Sequence, residues 1–296
     1  MKISLSKNSW VVTVTELDLN AITDEEIDIL GCLVNYYTLV IIKDQKNLPV
    51  ELQESVCRRF GSTLDDDYGT EGFKQRLGRL LQPGGTITSR VTGEKNEDGE
   101  PGLFGFKEEL KWHANKVERA NRRSMVWIYG VRGTKGSVTS FTNHIIAYND
   151  MPEEFKKEIS DLKTIYSYQL SKDERERMGQ DVGISEHTPP LVYTNAGGQT
   201  GIYLSWLHLD HFVGMTTEES KIIAGKIEKF VLSNPRYVYD HEWTDGDLLL
   251  SEQWLGLHKR HAFEHMEQRL INRIETSFSK IDFTKMPMAL KMIDHE

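Results

Sequence analysis

Ten histidines are spread through the chain, and two stand where a metal could use them. His113 follows Trp112 at the end of a glycine-containing loop, and His258 follows the apolar run Leu248-Leu249-Leu250 and a turn. Neutral imidazoles from distant segments are the commonest way a protein binds a transition metal. Neither setting alone identifies a ligand, and taken singly each reads more readily as a structural histidine. Arg269 lies eleven residues beyond His258, and Arg273 four beyond Arg269. On an extended strand, residues four apart face the same way. Two guanidiniums there would form an anion site, because the planar fork pairs with a carboxylate through two parallel hydrogen bonds. The alternative is that both are solvated or pair with Glu267 and Glu275.

Other candidates offer less. His208-x-x-His211 and Glu186-His187 could ligate a metal, pack in the core or line a pocket. Asp245-Gly246-Asp247 has too few oxygens for calcium and reads as a turn feeding a strand. Gly197-Gly198-Gln199-Thr200-Gly201 lacks the Gly-Lys-Ser/Thr of a phosphate loop and reads as a hairpin turn. Phe104, Phe106 and Trp112 could wall a site beside His113, with core packing as the other role.

These residues need elements to hold them. Thr23-Asp24-Glu25-Glu26 is a capping box that opens a helix carrying Ile27, Leu30, Leu33 and Val34 at helical spacing. Thr38 to Ile42 is short, β-branched and continuous, so a buried strand is predicted. Pro49 opens a second helix that ends near Phe60-Gly61. From Asp65 to Gly105 the periodicity weakens, and residues 94–102 form a turn-rich stretch; a lid-like loop over about 65–110 is predicted, or else a plain surface excursion. Strands are predicted at Arg123–Tyr129, Asp247–Leu250 and Leu270–Phe278, the last in the chain. A short helix starts at Pro152, and Thr216-Thr217-Glu218-Glu219 caps a helical insertion over about 215–235. The sum is a β-rich α+β domain with flanking helices, and one domain over residues 1–296.

Composition narrows the classes. The 296 residues carry 36 basic and 45 acidic side chains, a net charge of −9, which argues against a general nucleic-acid surface. Cys32 and Cys57 are too few for a disulfide framework or a four-thiolate site. No apolar run approaches a membrane span, and the N-terminus lacks a signal peptide's apolar stretch. The expectation is a cytoplasmic protein that uses neither nucleic acid nor membrane, with a homo-oligomer left open.

The chain resembles the taurine dioxygenase family of Fe(II)- and 2-oxoglutarate-dependent oxygenases. The likeness runs through Thr38-Leu39-Val40-Ile41-Ile42-Lys43-Asp44-Gln45, Arg59-Phe60-Gly61, Leu110-Lys111-Trp112-His113-Ala114-Asn115, Gly136-Ser137-Val138-Thr139-Ser140-Phe141 and Ala147-Tyr148. It continues in Trp243-Thr244-Asp245-Gly246-Asp247-Leu248-Leu249-Leu250, His258 and Arg269. The resemblance implies a double-stranded β-helix, a cupin-like jelly roll. It implies that His113 and His258 bind iron, that Thr139 hydrogen-bonds the cosubstrate, that Arg269 pairs with the distal carboxylate of 2-oxoglutarate, and that Arg273 faces an anionic group of the substrate. The implied activity is hydroxylation of an unactivated C–H bond in a small polar, anionic or amino-acid-like metabolite, with O2 as co-reactant.

One position departs from the pattern. The family reads His-x-Asp, and this chain reads His113-Ala114-Asn115. An amide oxygen is neutral and a weaker ligand for a hard cation than a carboxylate. Three readings follow: Asn115 binds iron weakly in an active oxygenase; chloride takes the coordination position, as in related halogenases with Gly or Ala there; or the chain is a catalytically impaired binding or sensor protein. A carboxylate from elsewhere, such as Glu118, does not match the family spacing.

Overall fold

The structure, a computed structural model, describes residues 1–7, 9–63, 81–115, 117, 124–167, 185 and 187–294. Glu118, Glu186 and residues 65–80 of the expected lid-like loop lie outside them.

Two sheets dominate. The larger has eight strands among the described residues: β1 (Lys2–Leu5), β2 (Val11–Thr15), β3 (Leu39–Ile42), β4 (Ser89–Val91), β6 (Met125–Arg132), β13 (Leu248–Glu252), β15 (Leu270–Thr276) and β16 (Ile293–Asp294). Their order is β16-β1-β2-β3-β13-β6-β15-β4. The smaller sheet runs β12-β7-β14-β5, built from β5 (Leu110–His113), β7 (Val138–Thr142), β12 (Val238–Glu242) and β14 (His258–Arg260). Most neighbours in the two sheets are distant in sequence, as the jelly roll requires. Two small antiparallel pairs complete the strands: β8 (Thr164–Tyr166) with β11 (Leu209–Phe212), and β9 (Val192–Thr194) with β10 (Thr200–Ile202). The second is the hairpin expected around Gly197-Gly198.

Side-chain alternation sorts the larger sheet into two faces. Val40, Ile42, Trp127, Tyr129, Leu248, Leu250 and Ile274 pack in one cluster with residues of α1 (Asp24–Tyr37), α2 (Val50–Phe60) and α6 (Met286–Lys291). Leu39, Ile41, Val126, Ile128, Leu249 and Ile271 turn the other way, where they meet Phe141 and Trp243 of the smaller sheet's side. Both faces are therefore covered, which is why 39–42 and 248–250 read as unbroken apolar runs. Each such side chain contributes roughly 1.5–3 kcal/mol by leaving water.

The helices begin as their sequences dictate. Thr23 accepts a hydrogen bond from the Glu26 N–H while Glu26 reaches back to Thr23, closing the capping box of α1. Thr216 and Glu219 do the same for α5 (Thr217–Leu232). This helix packs in a separate cluster with α3 (His144–Asp150), α4 (Glu153–Ile159) and the strands β10 and β11. Leu270–Phe278 is not the last strand: after α6 the chain returns to pair β16 with β1 in parallel. Two residues are too short a run for periodicity to reveal.

Candidate metal and 2-oxoglutarate centre

Cross-strand register assembles the site. Within the smaller sheet, His258 lies opposite Phe141 and Arg260 opposite Thr139. Directly opposed residues share a face, and Phe141 belongs to the interior cluster, so His258, Arg260 and Thr139 also point inward. On its other side β14 pairs His258 with His113. Two imidazoles distant in sequence thus come to ring centroids 4.2 Å apart, both buried.

Their protonation suits a metal. The Nδ1–H of His113 donates to the Lys111 carbonyl at 2.6 Å, because a carbonyl can only accept. The lone pair is then on Nε2, which is buried with no hydrogen-bond partner among the described residues, as is His258 Nδ1. Burial, with lesser repulsion from Arg273 and Arg260, pushes His113 down to about 4. Burial, His113 and Arg273 hold His258 well below the ordinary histidine value. Both rings are neutral at pH 7, the form that ligates. Among the described residues no third His, Cys, Asp or Glu joins them to form a metal cluster. Asn115 is buried nearby in sequence, its Nδ2 donating to Gln253 Oε1 at 3.0 Å.

The anion side is built from arginines. Arg269 is 2% exposed and precedes β15, on a turn in which its N–H and that of Gln268 donate to the His265 carbonyl. Gly133 and Arg132 fix that turn: Arg132 Nη1 donates to the Gln268 carbonyl at 3.0 Å, and a Cβ on Gly133 would collide with the same oxygen. Among the described residues Arg269 Nε has no hydrogen-bond partner, and Nη1 meets Met266 Sδ at 3.9 Å. Burial, then repulsion from Arg260, lowers Arg269 to about 9. Arg260 donates from Nη1 and Nη2 to the carbonyls of Phe104, Phe106 and Glu108 at 2.6, 2.7 and 2.5 Å, while its Nε, like that of Arg269, has no partner among the described residues. It thereby ties the loop before β5 to the barrel, with its guanidinium 4.7 Å from the Phe106 ring centre.

The Thr139 hydroxyl is oriented by a neighbouring indole. Trp243 Nε1 donates to its hydroxyl oxygen at 2.9 Å. Indole can only donate, so the Thr139 O–H must point elsewhere. Arg273 forms an ion pair with Glu275 two residues along the same strand, so local pairing is the right alternative for this arginine. Arg273 and Glu275 alternate with Ile274, which packs on the helix side; both therefore face the interior. A register shift between Leu270 and Ile271 separates Arg269 from the regular strand, so simple four-residue spacing does not relate the two arginines.

Sequence reasoning passed over Gln253, Trp243 as a partner of Thr139, and Glu252. The Glu252 carboxylate accepts the N–H groups of Trp254 and Leu255 at 2.8 and 2.5 Å, shaping the loop that delivers His258. Only the acid and amide just after an apolar strand hinted at this. His208 comes within 6.4 Å of His113 between ring centres, with Ser205 Oγ at 2.8 Å from its Nδ1. His211 instead pairs with Asp210. Phe104 packs edge-on to His113 at 6.4 Å, whereas Trp112 packs beside Tyr203 and Leu257. An open recess of about 390 Å³ lined by Thr13, Lys43, Tyr239 and His241 shares no residue with this centre; Lys43 and His241 both lie against the buried Asp247 carboxylate.

The donor set tests whether iron and 2-oxoglutarate fit. Two buried imidazole nitrogens without partners suit a borderline metal, and a buried guanidinium with an unpartnered N–H suits a carboxylate. No described helix is long and apolar enough to cross a membrane.

Comparison with known proteins agrees with the fold. The 2,4-dichlorophenoxyacetate dioxygenase of Burkholderia sp. (strain RASC), named as alpha-ketoglutarate-dependent, is 26% identical over 171 residues, spanning 56% of this chain and 57% of that protein. Pentalenolactone F synthase of Streptomyces avermitilis is 22% identical over 87% of each chain. The crystal structure of AAD-2 with Mn(II) and N-oxalylglycine superposes with a TM-score of 0.71, at 20% identity, over 93% of this chain and 97% of that one. A taurine dioxygenase from Burkholderia xenovorans superposes with a TM-score of 0.70, at 16% identity, over 93% and 88%. The profile of the taurine catabolism dioxygenase TauD, TfdA family matches residues 5–274, and the chain belongs to that family of 2-oxoglutarate-dependent dioxygenases.

Proposed function

We propose that this chain is an active Fe(II)- and 2-oxoglutarate-dependent oxygenase that hydroxylates a small polar metabolite carrying a carboxylate, with an amino-acid-like substrate preferred. The observation that supports the reading is the meeting of two neutral imidazoles, in a barrel that also buries a guanidinium with no carboxylate partner among the described residues. When bound, the metal with 2-oxoglutarate and O2 supplies the oxidising chemistry. The protein's share is binding and orientation. His113 and His258 would donate nitrogen lone pairs, with the amide oxygen of Asn115 as a neutral third ligand. Arg269 would hold the distal carboxylate of 2-oxoglutarate, and Thr139 would give it a hydroxyl hydrogen bond. Arg260 keeps the 104–108 segment in place and so limits water at the site.

Arg273 refines the substrate class. Its charge is already met by Glu275, so a plain anion gains less there than from an uncompensated cation. A substrate with both carboxylate and ammonium can engage the two partners together. Relatives whose names specify phenoxyacetate and phenoxypropionate substrates support the carboxylate. Asn115 is bulkier than the Gly or Ala of halogenases, which disfavours a chloride in its place.

The test is anaerobic titration of metal-free protein with Fe(II) and 2-oxoglutarate, followed by air and a panel of amino acids. The expected result is the visible chelate band, then succinate formed together with an amino-acid product heavier by one oxygen. Failure to take up metal ends the enzyme reading in favour of a binding or sensor protein. A chloride-dependent product mass would turn it into a halogenase.

A further inference from the structure

The identity of Asn115 raises the question of which amide atom it offers, and the hydrogen bonds around it answer through two fixed points. Gln253 Oε1 accepts from the main-chain N–H of Asn115 at 3.3 Å. A main-chain N–H can only donate, so the atom of Gln253 that faces residue 115 is its oxygen. Gln253 Nε2 lies 3.4 Å from the Glu252 carbonyl, which can only accept, so the other end is the amine. The main chain thus sets the Gln253 amide at both ends. The same Oε1 meets the Asn115 side chain at 3.0 Å, and the group placed there must be the Nδ2 amine. The Asn115 oxygen is turned away from Gln253.

We propose that Gln253 is a positioning residue that fixes Asn115 with its amide oxygen toward the metal and its amine away, making a neutral third ligand serviceable. This rests on the metal-centre reading above. Left to rotate, an asparagine would present either end, and an amine cannot ligate. The same contact makes residue 253 a determinant of what position 115 tolerates. A carboxylate at position 115 would set oxygen against oxygen at that 3.0 Å contact, in a buried place where an unsatisfied acceptor is costly. Flipping the Gln253 amide to relieve this would turn an amine toward the main-chain N–H of residue 115 and an oxygen toward the Glu252 carbonyl.

A double-mutant cycle on the full chain tests this, using Asn115→Asp, Gln253→Met and the pair. Melting temperature is read on metal-free protein. Mn(II) affinity is read from the EPR signal of free Mn(II), with 2-oxoglutarate present. Asn115→Asp is expected to lower the metal-free melting temperature when Gln253 is intact, and much less when it is combined with Gln253→Met. Gln253→Met alone is expected to weaken Mn(II) about tenfold, in the range of other outer residues of metal sites. Gln253→Glu, which keeps an acceptor oxygen facing residue 115, is expected to bind Mn(II) more tightly than Gln253→Met does. Additive melting temperatures, or a Gln253→Met protein that binds Mn(II) as wild type does, would overturn the proposal. Absence of Mn(II) uptake by the wild type would instead overturn the metal-centre reading, while the thermal cycle still judges the grip of Gln253 on Asn115.

Discussion

Arg269 offers the sharpest test of the proposed cosubstrate site, because its two expected effects have opposite signs. Its guanidinium is almost wholly buried, with one weak contact to Met266 Sδ and Arg260 adding repulsion. Burial first, and Arg260 second, lower it to about 9, which corresponds to roughly 5 kcal/mol against the charged form at about 1.4 kcal/mol per tenfold. For a base lowered on folding, the penalty is complete below the folded value and fades as pH rises toward the unfolded one. At pH 7 it is therefore fully present. Arg269→Met keeps most of the stem and removes the charge. Replacing buried charges with apolar groups recovers about 1–4 kcal/mol, so the ligand-free variant should melt several degrees above wild type. Wild type with Mn(II) and 2-oxoglutarate at about a hundred times the dissociation constant should gain about 2.7 kcal/mol, and the variant should lose the cosubstrate's part of that gain. Differential scanning fluorimetry with and without 2-oxoglutarate reads both. A variant that melts lower when ligand-free and still responds to 2-oxoglutarate would refute the argument.

Further expectations follow from single contacts. Trp243→Phe removes the N–H that orients Thr139; 2-oxoglutarate should bind about 3–10-fold more weakly by anaerobic titration, and adding Thr139→Val, which removes the donating hydroxyl itself, should weaken it further. Gly133→Ala drives a methyl into the Gln268 carbonyl at a φ of +63°; a loss of at least about 2 kcal/mol in urea unfolding is expected, with weaker 2-oxoglutarate binding because the turn before Arg269 must shift. Glu54 is buried, which raises it, but N–H and hydroxyl donors from Ile87, Thr88 and Thr86 outweigh burial and leave its carboxyl below the usual range. That stability is present above the ordinary glutamate value and lost as pH falls through the lowered one. Glu54→Gln should therefore be destabilised by about 1–3 kcal/mol at pH 7, and the gap to wild type should close on acidification.

The site has an unusual charge balance. Burial lowers both Arg260 and Arg269, and Glu108, near Arg260, is the carboxylate that offsets it for that residue. Residue 115 brings no negative charge. A metal held as proposed would therefore depend on its ligands for anions more than one in a His-x-Asp centre does, and the 2-oxoglutarate dianion would add to its retention.

Sequence alone determined the local elements and the chemistry on offer. The capping boxes at Thr23 and Thr216 named their helices, because the bonds that start a helix lie within four residues. The apolar runs 39–42 and 248–250 named their strands, since both faces are covered. Resemblance to a family pattern singled out His113, His258 and Arg269 as candidates. Only the tertiary structure decided what those residues meet. Cross-strand register put His113 opposite His258, the bulge before Ile271 separated Arg269 from Arg273, and Glu275 claimed Arg273. The Asn115–Gln253 and Trp243–Thr139 contacts join residues more than a hundred positions apart. Donor and acceptor pairing at that range depends on strand order across two sheets, and no local pattern in the chain encodes it.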